Sequence, residues 1–171
     1  NPHRTTLFGA SAGAALNVGL ENTFIGAYAG RYLTTADRNV FLGTYAGYAT
    51  VDVDNAVIIG YKAGYANMTS GADGTVAIGY EASYALTSGA NQVSIGYQAG
   101  KALTTAANSV FIGYQAGLEH TGGNNVAIGD MAFSSTNAGS NSIASTKNVA
   151  IGNFALGGTF TDAQVDGTVA I

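Results

Sequence analysis

Cysteine is absent from this sequence, and only one proline occurs among its 171 residues. The lack of cysteine excludes a disulfide framework and leaves the redox compartment open. Charged residues are scarce, at 9% against the usual quarter, while hydrophobic residues make up 47%. This combination does not favour disorder, which requires low hydrophobicity and high net charge. It favours a chain whose faces are buried by regular stacking or by partner chains.

The charge that is present is slightly acidic, with a formal net charge of -4 and thinly scattered lysine and arginine. Nucleic-acid binding requires a basic patch or stripe, so we expect no nucleic-acid partner. The apolar runs are too short for a membrane-spanning helix, and no membrane insertion is predicted. The length suits a single domain over residues 1–171. Because the chain starts at Asn1 without a signal-like segment and stops at Ile171 inside its own repeat, we expect a piece of a longer protein.

A short motif recurs along the whole chain, and its most regular feature is a glycine that follows an aliphatic or aromatic residue. These anchor glycines are 16 to 23 residues apart, most often 17. The anchors are Gly9, Gly26, Gly43, Gly60, Gly79, Gly96, Gly113, Gly129 and Gly152. A tenth copy begins at Thr168. Repeats of this length indicate an architecture in which each copy buries its apolar face only by stacking on its neighbours.

The three residues before each anchor predict a short β-strand. The first and third of them, such as Val57 and Ile59, are almost all β-branched and point to the same face of a strand. The middle residue, such as Ile58, points to the opposite face and is also mostly apolar. Asparagine often precedes the strand, where it tolerates turn angles, and stacked asparagines would form a ladder. An alanine three residues after every anchor indicates a place too crowded for a larger side chain.

The fold class that these features predict is all-β, a parallel β-solenoid or β-roll of about nine coils of 16 to 23 residues. Each coil contains a strand, a turn at the anchor glycine, a second segment around the alanine, and a return loop. The anchors from Gly26 to Gly152 are the predicted coil turns, because glycine adopts backbone angles that other residues resist. A helical solenoid is rejected because the strand core has a period of two. The longest interval contains Ser134–Ser145, where we expect a protruding loop.

Both faces of the predicted strand are apolar, so one chain would leave one face uncovered. We expect the Val/Ile face to fill the coil and the opposite face to form an oligomer interface. The residues assigned to this oligomer face are Phe24, Phe41, Ile58 and Phe111. A long exposed apolar stripe marks an interaction surface, and identical chains around one axis are its simplest cover. The sequence therefore predicts a homo-oligomer, with a homotrimer preferred.

Tyrosine occupies repeated positions that stacking would align into columns. Tyr61, Tyr80, Tyr97 and Tyr114 directly follow the anchor glycine in four successive copies. A second, shorter column consists of Tyr48, Tyr65 and Tyr84. The rings offer an apolar face and a polar tip to the sugar rings of a surface glycan, or they pack on each other or across the oligomer axis. Of these two interpretations, packing is favoured.

Residues that support catalysis or cofactor binding form no recognisable pattern. The Asp52–Asn55 segment offers oxygen ligands to a hard cation but lacks the spacing of a calcium loop, so we expect a solvated turn. His3 and His120 have no partner motif. The turn at Gly71–Gly74 lacks the Lys-Ser/Thr that completes a phosphate-binding loop. We therefore predict no metal, no cofactor and no enzymatic activity.

Several copies of the motif resemble repeats of known proteins. The segments Asn22-Thr-Phe-Ile-Gly26 and Asn125-Val-Ala-Ile-Gly129 resemble the head repeats of trimeric autotransporter adhesins. The form Ile112-Gly113-Tyr-Gln-Ala-Gly117 is even more similar to repeats of tailed-phage tail fibres. This resemblance covers nearly the whole chain and implies a left-handed parallel β-roll, three chains together and attachment to a surface. The longer period, and Ala-Gly where the adhesin pattern favours serine, favour the phage fibre.

These features predict a structural and adhesive segment of a phage tail fibre or fibre-like surface adhesin. It would be located in the virion or at a cell surface and would attach to a host-surface glycan or protein by multivalent contacts. Three alternatives remain open: a bacterial trimeric autotransporter adhesin head, a spacer shaft without a receptor site, and an ice-binding β-solenoid. The Thr-x-Thr array typical of ice-binding solenoids does not persist here, because valine replaces threonine after Thr23.

Overall fold

The structure is a computed structural model that describes residues 4–134, 144–158 and 166–171. Its strands form one parallel sheet in which each strand pairs with the next one along the chain. The strands are β1 (Thr6–Phe8), β2 (Thr23–Ile25), β3 (Val40–Leu42), β4 (Val57–Ile59), β5 (Val76–Ile78), β6 (Val93–Ile95), β7 (Val110–Ile112), β8 (Val126–Ile128), β9 (Val149–Ile151) and β10 (Val169–Ala170). Within the described ranges, the one helical element is a 3-10 turn at Ser70–Ala72, and no helix is long and apolar enough to span a membrane.

The strands stay in register although the repeats differ in length. Val40 pairs with Val57, and Val57 pairs with Val76 across an interval that is two residues longer. The return loop of that longer interval contains the Ser70–Ala72 turn, which takes up the extra residues away from the strand. The chain is therefore a parallel β-solenoid of about nine turns, as the sequence predicts. Each coil is numbered here by the strand that begins it.

The two faces of the strands are oriented opposite to the prediction. The residues assigned to the oligomer face, Phe24, Phe41, Ile58 and Phe111, are fully buried inside the single chain. The first and third strand residues point outward and are partly exposed, as at Val57. A period of two shows which residues share a face but not which face is turned inward. The assignment of the four buried residues to an oligomer interface is corrected accordingly.

The inward strand residue and the residue six positions later share the interior, and in several coils their sizes are complementary. In coil 7, buried Phe111 is matched by Gly117, where an added Cβ would lie 2.8 Å from the Phe111 ring. In coil 8 the order is reversed, with Ala127 on the strand and the buried ring of Phe133 six residues later. In these coils one large side chain fills this part of the core, whereas in coils 5 and 6 small residues occupy it and the Ser83 hydroxyl donates to that of Ser94 at 2.8 Å.

A polar column runs through the interior directly before the strands. The Asn39 amide nitrogen donates to the Val53 carbonyl at 2.7 Å, and its oxygen accepts from the backbone N–H of Ala56 at 2.8 Å. Asn39 also donates to the side-chain oxygen of Asn22 at 3.1 Å. Asn148 donates in the same way to the side-chain oxygen of Asn125. These bonds satisfy backbone groups at a buried corner where they have no ladder partner.

The anchor glycines lie at the turn that follows each strand, with φ between +125° and +138°. This region of backbone space is essentially restricted to glycine. The glycines are also in contact with one another, since a Cβ on Gly26 would lie 2.6 Å from the carbonyl carbon of Gly43. The alanines that follow three residues later are buried in eight coils, with Ala29 at 0% exposure. Turn and alanine together bring successive coils into close backbone contact.

Candidate functional site

All ten tyrosines of the chain lie one to six residues after an anchor glycine, and none of them is buried. In this second segment of the coil, backbone hydrogen bonds connect neighbouring coils; the N–H of Tyr45, for example, donates to the Ala27 carbonyl at 3.0 Å. Equivalent residues are therefore held one above another. We call this set the tyrosine surface: Tyr28, Tyr32, Tyr45, Tyr48, Tyr61, Tyr65, Tyr80, Tyr84, Tyr97 and Tyr114.

The longest column of the tyrosine surface follows the anchor glycines of coils 4 to 7. Its rings are stacked, with centroid distances of 5.5 Å from Tyr61 to Tyr80, 5.0 Å from Tyr80 to Tyr97 and 5.2 Å from Tyr97 to Tyr114. These distances are close to the spacing of about 4.8 Å between paired strands. The four side chains remain 40–47% exposed. Each ring therefore packs on its neighbours and still presents an edge and a hydroxyl group to solvent.

The second column lies beside the first and joins it into one surface. Tyr48 stacks on Tyr65 and Tyr65 on Tyr84, each at a centroid distance of 5.1 Å. Tyr45 connects the columns, because its ring lies edge-on to Tyr48 at 5.2 Å and to Tyr61 at 6.2 Å. The aromatic surface is therefore continuous from coil 2 to coil 7.

Hydrogen bonding and desolvation favour the neutral phenol form of Tyr48 and of Tyr80. The hydrogen bond with Tyr32 is the largest cause that raises the pKa of Tyr48, and desolvation acts in the same direction. Desolvation raises the pKa of Tyr80, and the neighbouring Glu81 carboxylate raises it further. These two rings can therefore donate hydrogen bonds from their hydroxyl groups over the whole physiological range.

Two cations lie over the rings of coils 2 to 4. The guanidinium carbon of Arg31 is 5.1 Å from the Tyr28 ring centre and 5.3 Å from that of Tyr32. The Lys62 ammonium is 5.3 Å from the ring centre of Tyr61. Electrostatic interaction with Tyr61 raises the pKa of Lys62, although desolvation acts against it. Such cation–ring contacts stabilise the charged group while leaving its polar hydrogens available.

Coils 5 to 7 carry a cluster of paired polar groups instead. The Lys101 ammonium lies 2.7 Å from Glu81, whose carboxylate also accepts from the Gln98 amide at 3.0 Å. Gln115 donates in turn to Gln98 at 3.0 Å. Desolvation raises the pKa of Glu81, but the bonds from Lys101 and Gln98 outweigh it and the net pKa is lowered. These side chains satisfy one another along the column.

A shallow depression lies at the edge of this paired cluster. Its volume is about 410 Å³. The lining residues are Tyr84, Ala85, Lys101, Ala102, Leu118 and Glu119. Its aromatic, cationic and acidic walls suit a small polar group with an apolar face.

The other residues considered from the sequence lie apart from the tyrosine surface. Asp54 accepts from the backbone N–H of Asp37 at 2.6 Å, and Asp52 accepts from the Thr35 hydroxyl at 3.4 Å, so this acidic segment is hydrogen-bonded to the return loop of the preceding coil. No group of three or more metal-ligating side chains comes together in the part of the chain that the structure describes. Of the predicted protruding loop, residues 135–143 lie outside the described ranges, as does His3.

His120 is buried in the core, and its Nε2 atom lies 2.9 Å from the Ser145 carbonyl oxygen. The other ring nitrogen, Nδ1, is also buried and has no hydrogen-bond partner among the described residues. The ring packs on Phe133 at a centroid distance of 3.9 Å. His120 therefore connects coil 7 to the return loop of coil 8 through its contact with Ser145, and it is not part of the tyrosine surface.

The sequence-based columns contain seven of the ten tyrosines and omit Tyr28, Tyr32 and Tyr45, as well as the cations. The sequence could have indicated these three tyrosines, because their distance from the anchor glycine places them in the same segment as the two columns.

Comparisons with protein-family models, with curated proteins and with solved structures found no match to this chain.

Proposed function

We propose that this chain is a rigid adhesive segment of a surface fibre that attaches to carbohydrate through the tyrosine surface. The observation that carries this proposal is the continuity of exposed, regularly stacked tyrosines over six coils. Because the ring faces pack on one another, the columns present a row of apolar ring edges and hydroxyl groups, and this combination suits sugar rings. Repeated weak contacts along one rigid scaffold add up to strong attachment.

Rigidity supports the same proposal. Every coil is joined to the next by ladder hydrogen bonds at the strand and by further backbone bonds in the second segment. Because the coils repeat at about 4.8 Å, the ten strands extend over roughly 43 Å. A surface held this firmly loses little conformational entropy when it binds a long ligand.

The outward strand face provides the surface for assembly. In β3 to β8 the first and third strand residues are apolar and only partly buried in the single chain, as at Val76 and Ile78. A stripe of this kind marks an interaction surface. We propose that three chains pack these faces around a common axis, with the tyrosine surfaces on the outside of the fibre.

The setting that we propose is a phage tail fibre or a fibre-like surface adhesin. The resemblance of Ile112-Gly113-Tyr-Gln-Ala-Gly117 to tail-fibre repeats supports the first, and the Asn125-Val-Ala-Ile-Gly129 core is shared with autotransporter adhesin heads. Both would place the chain outside the host cell and bring it to a receptor on the host surface.

Adhesion is tested by binding of the labelled chain to a glycan array and to bacterial cells. The double variant Tyr80→Ala/Tyr97→Ala should lose most of the binding, while Tyr80→Phe/Tyr97→Phe keeps the rings and should retain most of it. Thermal unfolding of both variants separates lost folding from lost binding, because each ring pair contributes about 0.5–1.5 kcal/mol to stability. Absence of binding by the natural chain to any glycan or cell would favour the spacer shaft and overturn the adhesive role.

Assembly is tested separately by light scattering coupled to size exclusion. The variant Ile78→Glu/Ile95→Glu places charge on the outward face and should convert a trimer into a folded monomer. Tyr114→Glu, on the tyrosine surface, is the matched control and should leave the trimer intact. A natural chain that is monomeric at micromolar concentration would overturn the proposed trimer.

A further inference from the structure

The tyrosine surface has two halves that differ in charge. The second segments of coils 2 to 4 contain Arg31 and Lys62 and no acidic residue. Those of coils 5 to 7 contain Glu81 and Glu119, and their lysine, Lys101, is paired with Glu81. The first half is therefore cationic although the whole chain has a net charge of -4.

The acidic residues closest in sequence to the cationic half are held in the return loops. Asp37 accepts from the backbone N–H of Leu20 at 2.7 Å, and Asp73 accepts from that of Asp54 at 2.9 Å. Arg38 lies among these carboxylates, 3.7 Å from Asp54. These carboxylates are therefore engaged by backbone groups and by Arg38 in the return loops.

Neither Arg31 nor Lys62 forms an ion pair with any described residue. Both are partly exposed, and both lie against the flat faces of tyrosine rings. Arginine carries five N–H donors in a planar fork that matches a carboxylate. Positive groups that have no anionic partner among the described residues and lie on partly exposed rings are arranged for a ligand that carries both negative charge and apolar surface.

We propose that the cationic half of the tyrosine surface selects acidic polysaccharides. The inference rests on the proposed adhesive function and specifies its ligand. Sugar rings lie on the tyrosines of coils 2 to 4, and carboxylates of the polysaccharide bind Arg31 and Lys62. The two cations are two coils apart, which is about 10 Å along the axis. Arg31 and Lys62 also differ in position within the coil, five and two residues after their anchor glycines, so the axial rise alone already exceeds one sugar unit and favours a polymer in which acidic groups occur on alternate sugars.

The cation spacing distinguishes this ligand from a single-stranded nucleic acid, whose bases would also stack on tyrosine. A nucleic acid carries a phosphate at every nucleotide and is bound in a continuous cationic groove. Here the cations occur only on alternate coils, and the following half of the surface carries carboxylates. An acidic polysaccharide is therefore the favoured occupant.

The test uses the whole chain and three probes in titration calorimetry: a hyaluronan decasaccharide with carboxylates on alternate sugars, neutral chitohexaose, and oligo-dT. We expect the chain to prefer the hyaluronan probe and to lose affinity as salt rises from about 50 to about 300 mM, since exposed charge contacts are screened. Arg31→Gln/Lys62→Gln should weaken hyaluronan binding by about tenfold or more, which corresponds to about 1.4 kcal/mol.

Arg38→Gln removes a cation outside the tyrosine surface and is the matched control, which should bind like the natural chain. Equal, salt-independent binding of the acidic and neutral probes would overturn charge selection while leaving the adhesive role intact. Tighter binding of oligo-dT would assign the surface to nucleic acid instead. Failure to bind hyaluronan, with cell binding retained, would overturn the inference alone, whereas loss of all cell and glycan binding would overturn the adhesive function itself.

Discussion

A Cβ atom on Gly79 would lie 2.3 Å from the carbonyl oxygen of Gly96, the glycine at the same position of the next coil. The φ of Gly79 is +136°, a conformation that side-chain-bearing residues rarely adopt. A side chain at position 79 is therefore excluded for two reasons: the backbone conformation of Gly79 disfavours it, and the backbone of the next coil leaves no space for it.

Gly79→Ala should accordingly lower the free energy of unfolding by about 3 kcal/mol or more, because strain and a backbone clash combine. Urea unfolding followed by circular dichroism measures the loss. Gly158→Ala is the control, since no described residue lies within 4 Å of an added Cβ there. Similar midpoints for the two variants would contradict the close contact between coils.

The orientation of the strand faces is tested on two neighbouring residues of β7. Phe111 is fully buried and Val110 is partly exposed, so Phe111→Ala should cost about 3–5 kcal/mol and Val110→Ala clearly less. Both variants are compared by chemical unfolding of dilute protein, where association contributes least. A larger loss for Val110→Ala would restore the orientation that the sequence suggested.

Complementary filling of the core predicts the outcome of a mutant cycle in coil 8. Ala127→Phe adds a ring where Phe133 already fills the space, and Phe133→Gly empties that space, so each change alone should destabilise the chain. The double variant reproduces the arrangement of Phe111 and Gly117 and should recover much of the loss. The coupling energy from the four unfolding curves measures this, and simple additivity would contradict shared occupancy.

The buried His120 predicts a loss of stability in mild acid. Burial lowers the pKa of His120 below its usual 6.5, and the bond to the Ser145 carbonyl opposes this only in part. Below pH 6.5 the unfolded chain takes up a proton that the folded chain still excludes, so stability falls with pH from that point.

For one proton the slope is at most about 1.4 kcal/mol per pH unit. Unfolding curves at several pH values should show it in the natural chain and lack it in His120→Gln. Slopes due to carboxylates occur in both proteins and cancel in the comparison. Parallel pH dependence of the two proteins would rule out His120 as the source.

The interior asparagine column should contribute to stability through the groups that it satisfies. Asn39→Ala leaves the Val53 carbonyl and the Ala56 N–H without their partner and should cost about 1–3 kcal/mol. Asn108 is exposed at the neighbouring position of another coil and has a φ of +60°, so its replacement by glycine, which adopts this conformation freely, should cost below about 1 kcal/mol. Equal costs would mean that Asn39 is not essential to the buried corner.

The fold could be predicted because its determinants are local and repeated. Val76, Ile78 and Gly79 define a strand and its turn within four residues, and recurrence of this pattern fixes parallel stacking in register. The inward face could not be read from alternation alone. The sequence did contain one indication of the inward face. In coil 7 the large residue Phe111 is followed six positions later by Gly117, whereas in coil 8 the small residue Ala127 is followed six positions later by Phe133.

The tyrosine columns follow from the repeat, because identical positions in successive coils must lie one above another. The contact of Tyr45 with both columns could not be predicted, because it depends on the positive φ of Tyr45 and the resulting direction of its side chain. The approach of His120 to Ser145 is likewise invisible in the sequence, since the two residues are 25 positions apart across an irregular interval.

The stacking of coils by hydrogen bonds also determines how the segment responds to mechanical load. The bonds between coils point along the axis of the solenoid, so a pull on the two ends of the chain loads one coil boundary at a time. Each coil contacts only its neighbours and detaches independently of the rest. A released coil of about 17 residues adds roughly 55 Å of extended chain. Under tension the segment would therefore lengthen in successive steps, most of them of similar length, and each step would dissipate part of the applied force.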